Sequence, residues 1–237
     1  MKIRLQKRIA DSGHCSRRKA EVLMTEGKVK VNGEVVTTLG TKVNEKAKIE
    51  VDGKKISFPK VQITVALNKP AEYISSKFDP NNPKTIMDLL PKELQLLKPA
   101  GRLDKDSEGL MILSSDGALI QKLTHPKHEH TKTYEIIIKG YAKDKDLAIL
   151  TKGKIKLDGY TLNPMEFRII KTLKDRKTLV EIKLNEGRNR QIRRVMDSIG
   201  FPVIYLQRTA IGQFDLGDLD KGDHKILTDA DIKNALS

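Results

Sequence analysis

The stretch GRLDKDSEGLMILSSDG, residues 101–117, is the densest run of informative residues in the chain. Leu110 to Leu113 form a short apolar run of the kind a buried strand shows. Asp116-Gly117 then supplies a turn, Ala118 to Leu123 read as a helix, and Pro126 stops it. Asp104 therefore falls on a loop just ahead of a rigid strand, and loops held by a scaffold are where catalytic groups concentrate.

Further strand-like runs follow, including Tyr134 to Ile138 and Leu179 to Leu184, mixed with helical stretches that lack a regular βα alternation. That pattern predicts an α+β fold with a central, mainly antiparallel sheet. Strand side chains alternate, so Lys132 and Tyr134 share one face, where the lysine is set to meet a phosphate or an acidic neighbour. In NRQIRRVMDSIG, residues 189–200, Asn189 is placed to cap a helix whose Ile192, Val195, Met196 and Ile199 form one apolar stripe. At about 100° per residue, Arg190 and Arg194 point away from the stripe toward solvent or a polyanionic partner. Arg193 lies at its edge and alone is placed to turn inward, while Arg188 in the preceding loop is a further phosphate candidate.

Toward the N-terminus, Pro59 breaks the pattern before a new apolar run, Val61 to Leu67, which places a linker around Ser57 to Lys60. The expected division is a domain of residues 1–58 and a larger one of residues 61–237. In the first, Leu5 and Ile9 lie one turn apart, and Ser16 caps a second helix that Gly27 ends after Ala20, Leu23 and Met24. Lys28 to Val31 alternate, and Asn32-Gly33 is the two-residue turn that right-twisted hairpins prefer. A small α+β unit results.

Charge separates the two segments. The 237 residues carry a net charge of +14, and residues 1–58 hold 14 Lys/Arg against 7 Asp/Glu. Half of the excess thus sits in a quarter of the chain, which points to a dedicated polyanion-binding module, because clustered cations release counterions from a phosphate backbone. Cys15 is the single cysteine and cannot form an intramolecular disulfide. No apolar run approaches the roughly 18 residues of a bilayer span, and Lys2, Arg4, Lys7 and Arg8 interrupt any signal-peptide pattern. No membrane role and a cytoplasmic location are expected. With no Trp and 4% aromatics, the core must rest on Ile, Leu and Val, so an aromatic in a polar motif is noticeable.

The stretch LQKRIADSGHCSRRKAEVLMTEGKVKVNGEVV resembles the small RNA-binding domain shared with a ribosomal small-subunit protein. That resemblance implies that Arg17, Arg18 and Lys19 contact RNA phosphates, with Lys28 and Lys30 nearby. The rest of the chain resembles the ribosomal RNA pseudouridine synthases of the RsuA/RluB type through LNKP at 67–70, GRLDKDSEGLMILSSDG, KTYEI at 132–136 and EGRNRQIRRVM at 186–196, in family order. The resemblance implies a reaction in which uracil is detached from ribose, rotated and rejoined through carbon 5. It assigns Asp104 as the catalytic carboxylate, Tyr134 as the ring stacked on the flipped uracil, and Arg193 as the partner of Asp104. Arg102 then fills or holds the space the extruded base leaves, because a stacked base must leave the helix before chemistry. Whether the first step is attack on the sugar, attack on the base or removal of a sugar proton stays open.

The reaction involves no redox change, so no cofactor and no metal are expected. Asp104 and Asp106 could be taken as magnesium ligands, but such a site normally joins carboxylates to a bound phosphate and waters; His125, His128 and His130 have no cysteine nearby for a zinc site and read as a polar loop. DPNNPK, residues 79–84, is a surface loop by its turn residues. The expected partner is ribosomal RNA or a ribosome assembly intermediate, with the chain acting as a monomer. GHCSRR and EGRNRQIRR tilt the substrate toward the large subunit over the small. A ribosome-associated RNA-binding protein that has lost activity is the rival reading, and it expects loss of Asp104, Tyr134 or Arg193, all of which are present.

Overall fold

The structure is a computed structural model that describes residues 2–58 and 61–237. Pro59 and Lys60, on which part of the expected linker falls, lie outside the described residues. The chain divides into two units, Met1–Gln62 with Ser115–Gly117, and Ile63–Ser114 with Ala118–Ser237.

In the first unit, strand β1 (Lys2–Arg4) leads into helix α1 (Leu5–Asp11), and Leu5 and Ile9 are fully buried one turn apart. Helix α2 (Arg17–Thr25) packs Ala20, Leu23 and Met24 into the same core. Ser16 caps it by accepting the Lys19 N–H at 3.2 Å, which satisfies one of the helix's orphan donors. Strands β2 (Val29–Val31) and β3 (Glu34–Val35) form the expected hairpin. Its turn residues Asn32 and Gly33 have φ of 53° and 95°, the left-handed values that a tight two-residue hairpin turn requires. Strand β4 (Lys42–Asn44) pairs with β1, while β5 (Ile49–Val51) and β6 (Lys54–Lys55) complete a sheet in the order β3-β2-β5-β6.

The second unit is built on one nine-stranded sheet. Its elements in chain order are β7 (Thr64–Lys69), β8 (Lys98–Ala100), β9 (Glu108–Ser114), α3 (Gly117–Thr124), β10 (Lys132–Lys139), α4 (Asp144–Leu147), β11 (Lys156–Leu157) and β12 (Tyr160–Thr161). Then come β13 (Glu166–Leu173), β14 (Lys177–Leu184), α5 (Gln191–Ser198), β15 (Val203–Ile211), β16 (Phe214–Asp215), β17 (His224–Ile226) and α6 (Asp229–Ala235). The strand order is β13-β14-β10-β15-β9-β7-β17, with β16 beside β15 and β8 beside β9, whereas β11 and β12 form a separate hairpin. Among the described residues, every pairing between these strands is antiparallel except a short parallel contact of β9 with β15.

Why Leu110 to Leu113 are continuously apolar is now visible. Met111 and Leu113 enter a core with Leu67, Tyr134, Ile136, Ile182 and the α5 residues Ile192, Val195 and Met196. Leu110 and Ile112 point the other way, into a core with Ala66, Leu119, Leu123 and Phe214. A strand covered on both faces loses the polar alternation of a half-exposed one. At the parallel contact, Gly109 has φ of 103°, and a Cβ there would run into the Arg208 backbone. Only glycine lets the two strands approach so closely.

Candidate active site

The loop between β8 and β9 is held from below by two polar side chains. Ser75 Oγ donates to Leu103 O at 2.6 Å and accepts the Leu103 N–H at 2.9 Å, clamping the residue before Asp104. Lys69, at the end of β7, is fully buried, and its ammonium donates to Pro70 O at 2.9 Å and Ser107 O at 2.7 Å. Burial pushes the Lys69 pKa down to about 8, with the carboxylates of Glu108, Asp106 and Asp104 pulling the other way. Asp104 itself keeps 38% of its side chain exposed. It is presented to solvent on a loop whose backbone is fixed.

Three arginines reach toward this loop or past it, and their partners differ from the sequence expectation. Arg193 does turn inward, with a side chain 12% exposed. Its Nη2 donates to Asp106 O at 2.8 Å and its Nε lies 3.4 Å from Asp106 Oδ2, so its direct partner is Asp106. The ion pair to Asp104 comes from Arg190, whose Nη1 lies 3.9 Å from Asp104 Oδ2. Arg190 also grips Asp106 with two bonds of 2.9 and 2.8 Å, and those bonds hold the Asp106 carboxyl below the usual carboxylate range.

The outward direction assigned to Arg190 is thus corrected, and the reason is its backbone. Arg190, not Asn189, is the residue before the first turn of α5, with φ 49° and ψ 33°. A left-handed residue does not follow the 100° helical step, so its side chain escapes the helical projection. Asn189 makes no cap. Gln191, in the first turn, instead ties down the preceding loop, accepting the Arg188 N–H at 3.0 Å while its Nε2 donates to Glu186 at 2.8 Å. Arg194 points outward as expected but is tied to Asp158 of the β11–β12 hairpin by bonds of 2.7 and 2.8 Å.

Above the loop lies a hollow of about 300 Å³, lined by Arg102, Asp104, Tyr134, Arg188, Arg190 and Arg193 among others. It is at the small end of the roughly 300–1,000 Å³ range of ligand sites. Tyr134 is buried in β10 and shows one side to this space, beside the apolar walls Leu103, Ile192 and Leu206. Arg102 is exposed at the rim, and the Arg188 guanidinium sits 4.2 Å above the Tyr160 ring. Lys132 shares the face of Tyr134, as alternation requires, and lines a neighbouring hollow instead. In the first unit, Arg17, Arg18, Lys19 and Lys30 are exposed, while Lys28 is paired with Glu26 at 2.8 Å.

Chemically, the arrangement offers a partly exposed carboxylate beside fixed cations, an aromatic wall and room for one small planar group. Such a site suits attack on, or proton transfer from, a nucleoside held against the ring. Sequence reasoning weighed Asp106 only as a metal ligand and passed over Lys69 and Ser75, which hold the Asp104 loop, and Gln191, which holds the loop before α5. For Lys69 a signal existed: a lone charge ending the apolar run TVALNK, followed by Pro70.

Comparison with known proteins agrees with this architecture. Residues 63–198 match the RNA pseudouridylate synthase family and residues 3–49 match the S4 domain. The chain is 41% identical over 97% of its length to a ribosomal large subunit pseudouridine synthase B of Bacillus subtilis, of which it covers 94%. An RNA pseudouridine synthase of Aquifex aeolicus is 38% identical, with 98% of this chain and 93% of that protein covered. A solved structure of a pseudouridylate synthase superposes with a TM-score of 0.70 at 27% identity, covering 98% of this chain and 99% of the other. The chain belongs to the RNA pseudouridylate synthase family: it is an isomerase with an RNA-binding S4 domain at its N-terminal end. The resemblance drawn from its motifs is borne out, as is the α+β architecture.

Proposed function

We propose that the chain converts a uridine of large-subunit ribosomal RNA into pseudouridine, with Asp104 as the reacting carboxylate. The observation that carries this reading is the Asp104 side chain opening on a hollow walled by Tyr134, with the Arg190 guanidinium 3.9 Å away. The large-subunit assignment is supported by the name of the Bacillus subtilis relative.

In this reading the uracil leaves its stack and lies against the Tyr134 ring, and Arg102 at the rim holds the space it vacates. Asp104 engages the nucleoside at the sugar or the base. The bond from C1′ to N1 breaks, the uracil turns within the hollow, and a bond from C1′ to C5 forms. The C5 proton leaves and N1 ends protonated, so the product is an isomer and no electrons are exchanged. Arg190, 3.9 Å from Asp104, gives its carboxylate an ion-pair partner at the mouth of the hollow. Asp106 fixes both arginines, so Arg193 acts on Asp104 from one residue further away than the family pattern implies.

Residues 1–58 act as the RNA-binding domain, with Arg17, Arg18, Lys19, Lys28 and Lys30 on phosphates, and residues 61–237 as the catalytic domain. Arg188 and Lys132 meet the RNA near the hollow; Arg190 and Arg194 do so only by exchanging their carboxylate partners for phosphates. The chain works as a monomer in the cytoplasm, on ribosomal RNA or an assembly intermediate. Among the described residues no helix is long and apolar enough to cross a membrane.

Mapping pseudouridines in ribosomal RNA from cells with and without the gene tests the substrate. Loss of a pseudouridine from the large-subunit RNA is the expected result. Loss from the small-subunit RNA alone would move the substrate to the other particle, and an unchanged map would refute a ribosomal target.

A further inference from the structure

Beside the first hollow lies a second of about 470 Å³, and the two share Gly101, Arg102, Tyr134, Gly187 and Arg188. Its wall carries two cations with little to neutralise them. Arg208, on β15, is 3% exposed. Its Nε donates to Leu110 O at 2.7 Å, and its Nη2 is buried with no acceptor among the described residues. Lys132 gives one bond to His130 O at 3.2 Å. Burial lowers its pKa, and the charge of Arg208 lowers it further.

Two acids line the same hollow, Glu129 and Glu186, and the second is already engaged. Glu186 accepts from Gln191 Nε2 at 2.8 Å and the Asn163 N–H at 3.1 Å, and its other oxygen lies 3.7 Å from Arg188 Nε. Among the described residues, neither Lys132 nor Arg208 has a carboxylate within ion-pair distance. Two like charges in one half-buried wall repel, and a buried cation left unpaired is costly. A side chain needed only to tie Leu110 O would use a single donor, whereas a guanidinium presents five in a fork that matches a phosphate.

Position adds to chemistry. Arg208 pairs with Tyr134 across the β10–β15 ladder, so the two side chains leave neighbouring strands at one level of the sheet, and both line the second hollow. We infer that the second hollow is a subsite for the nucleotide adjoining the target uridine, with its phosphodiester seated between Lys132 and Arg208. This rests on the proposed function for what fills the first hollow. Lys132 and Arg208 are then binding residues for the strand and take no part in bond breaking.

The test titrates uridine, uridine 3′,5′-bisphosphate and inorganic phosphate into the full-length, 15N-labelled chain and follows backbone amides and the Arg208 Nε–H signal. The bisphosphate is expected to bind about tenfold more tightly than either of the other two, as one charge-assisted phosphate contact provides. Lys132→Gln should reduce its preference over uridine to less than about twofold while leaving the affinity for uridine unchanged. Arg208→Gln should do the same; because it also removes the tie to Leu110, Lys132→Gln decides if that variant does not fold.

An unchanged preference in Lys132→Gln, or no preference in the wild type, overturns the subsite. Equal affinity for inorganic phosphate and the bisphosphate overturns it too, because the wall would then hold a free anion and not a nucleotide. Asp104→Asn should lose turnover yet keep the bisphosphate preference. A lost preference therefore counts against the subsite alone, and intact turnover in Asp104→Asn counts against the catalytic reading alone.

Discussion

At the scale of single residues, the site depends on charges placed where they are costly. Lys69 illustrates this. Its folded-state pKa of about 8 lies below the ordinary lysine value of 10.5. Between those values the unfolded chain binds more protons than the folded one, so this group makes stability rise with pH across the window from about 8 to 10.5. The rise is at most about 3 kcal/mol by the cost of a pKa shift of this size. Lys69→Met should abolish that slope in urea melts taken across the window, even though it also loses the carbonyl ties; an identical slope in both proteins would show that Lys69 is not the cause. Asp106 gives a slope of the same sign in a lower window, but there folding favours the charged form. Its pKa is depressed, so its contribution is present above the usual carboxylate pKa and is lost as pH falls through the lower folded value. Asp106→Asn removes the shared anchor of Arg190 and Arg193, and kcat is expected to fall by about 10- to 100-fold with little change in KM. A change confined to KM would place Asp106 on the RNA instead.

Among the elements, the strands and most helix boundaries were legible because their signals are local. Ser16 caps α2, Asn32-Gly33 turns the β2–β3 hairpin, and the apolar run at Leu110 is a two-sided strand. The start of α5 was not legible. Asn189 is a good cap by residue type, but the chain turns one residue later through a left-handed Arg190, and only the fold around Asp106 explains why an arginine accepts that conformation. A left-handed non-glycine residue costs roughly 1–2 kcal/mol. Arg190→Gly should therefore be more stable than Arg190→Ala by about 1 kcal/mol in denaturant melts, since both lose the guanidinium and only glycine relieves the backbone. Equal stabilities would mean that the turn is not left-handed. Gly109 gives the converse case. Gly109→Ala forces a methyl group against the Arg208 backbone, and a loss of about 3 kcal/mol or more is expected, because backbone cannot move aside as a flexible side chain does. A melt unchanged by that substitution would contradict the close β9–β15 contact.

At the scale of the whole molecule, the uneven distribution of charge was readable from composition, and the two units give it a structural basis. The exposed Arg17, Arg18, Lys19 and Lys30 lie in the unit that matches the S4 domain. Partner exchange was not readable. Asp104, Asp106, Asp158, Arg190, Arg193 and Arg194 come from segments far apart in sequence, and which carboxylate takes which arginine is settled by backbone direction and not by spacing. Removing residues 1–58 should weaken RNA binding and flatten its dependence on salt, each lost phosphate contact reducing the logarithmic slope by about 0.7 for single-stranded RNA. A salt slope that survives the truncation would count against an RNA role for that segment.

The account turns on Asp104, and release of tritium from carbon 5 of labelled uridine in ribosomal RNA follows its action directly, because that proton leaves only when the new carbon–carbon bond is made. Wild-type protein should release tritium, and Asp104→Asn, folded and still binding RNA, should do so on the order of 10³-fold more slowly or not at all. Equal release by the two proteins on a verified substrate would contradict the assignment.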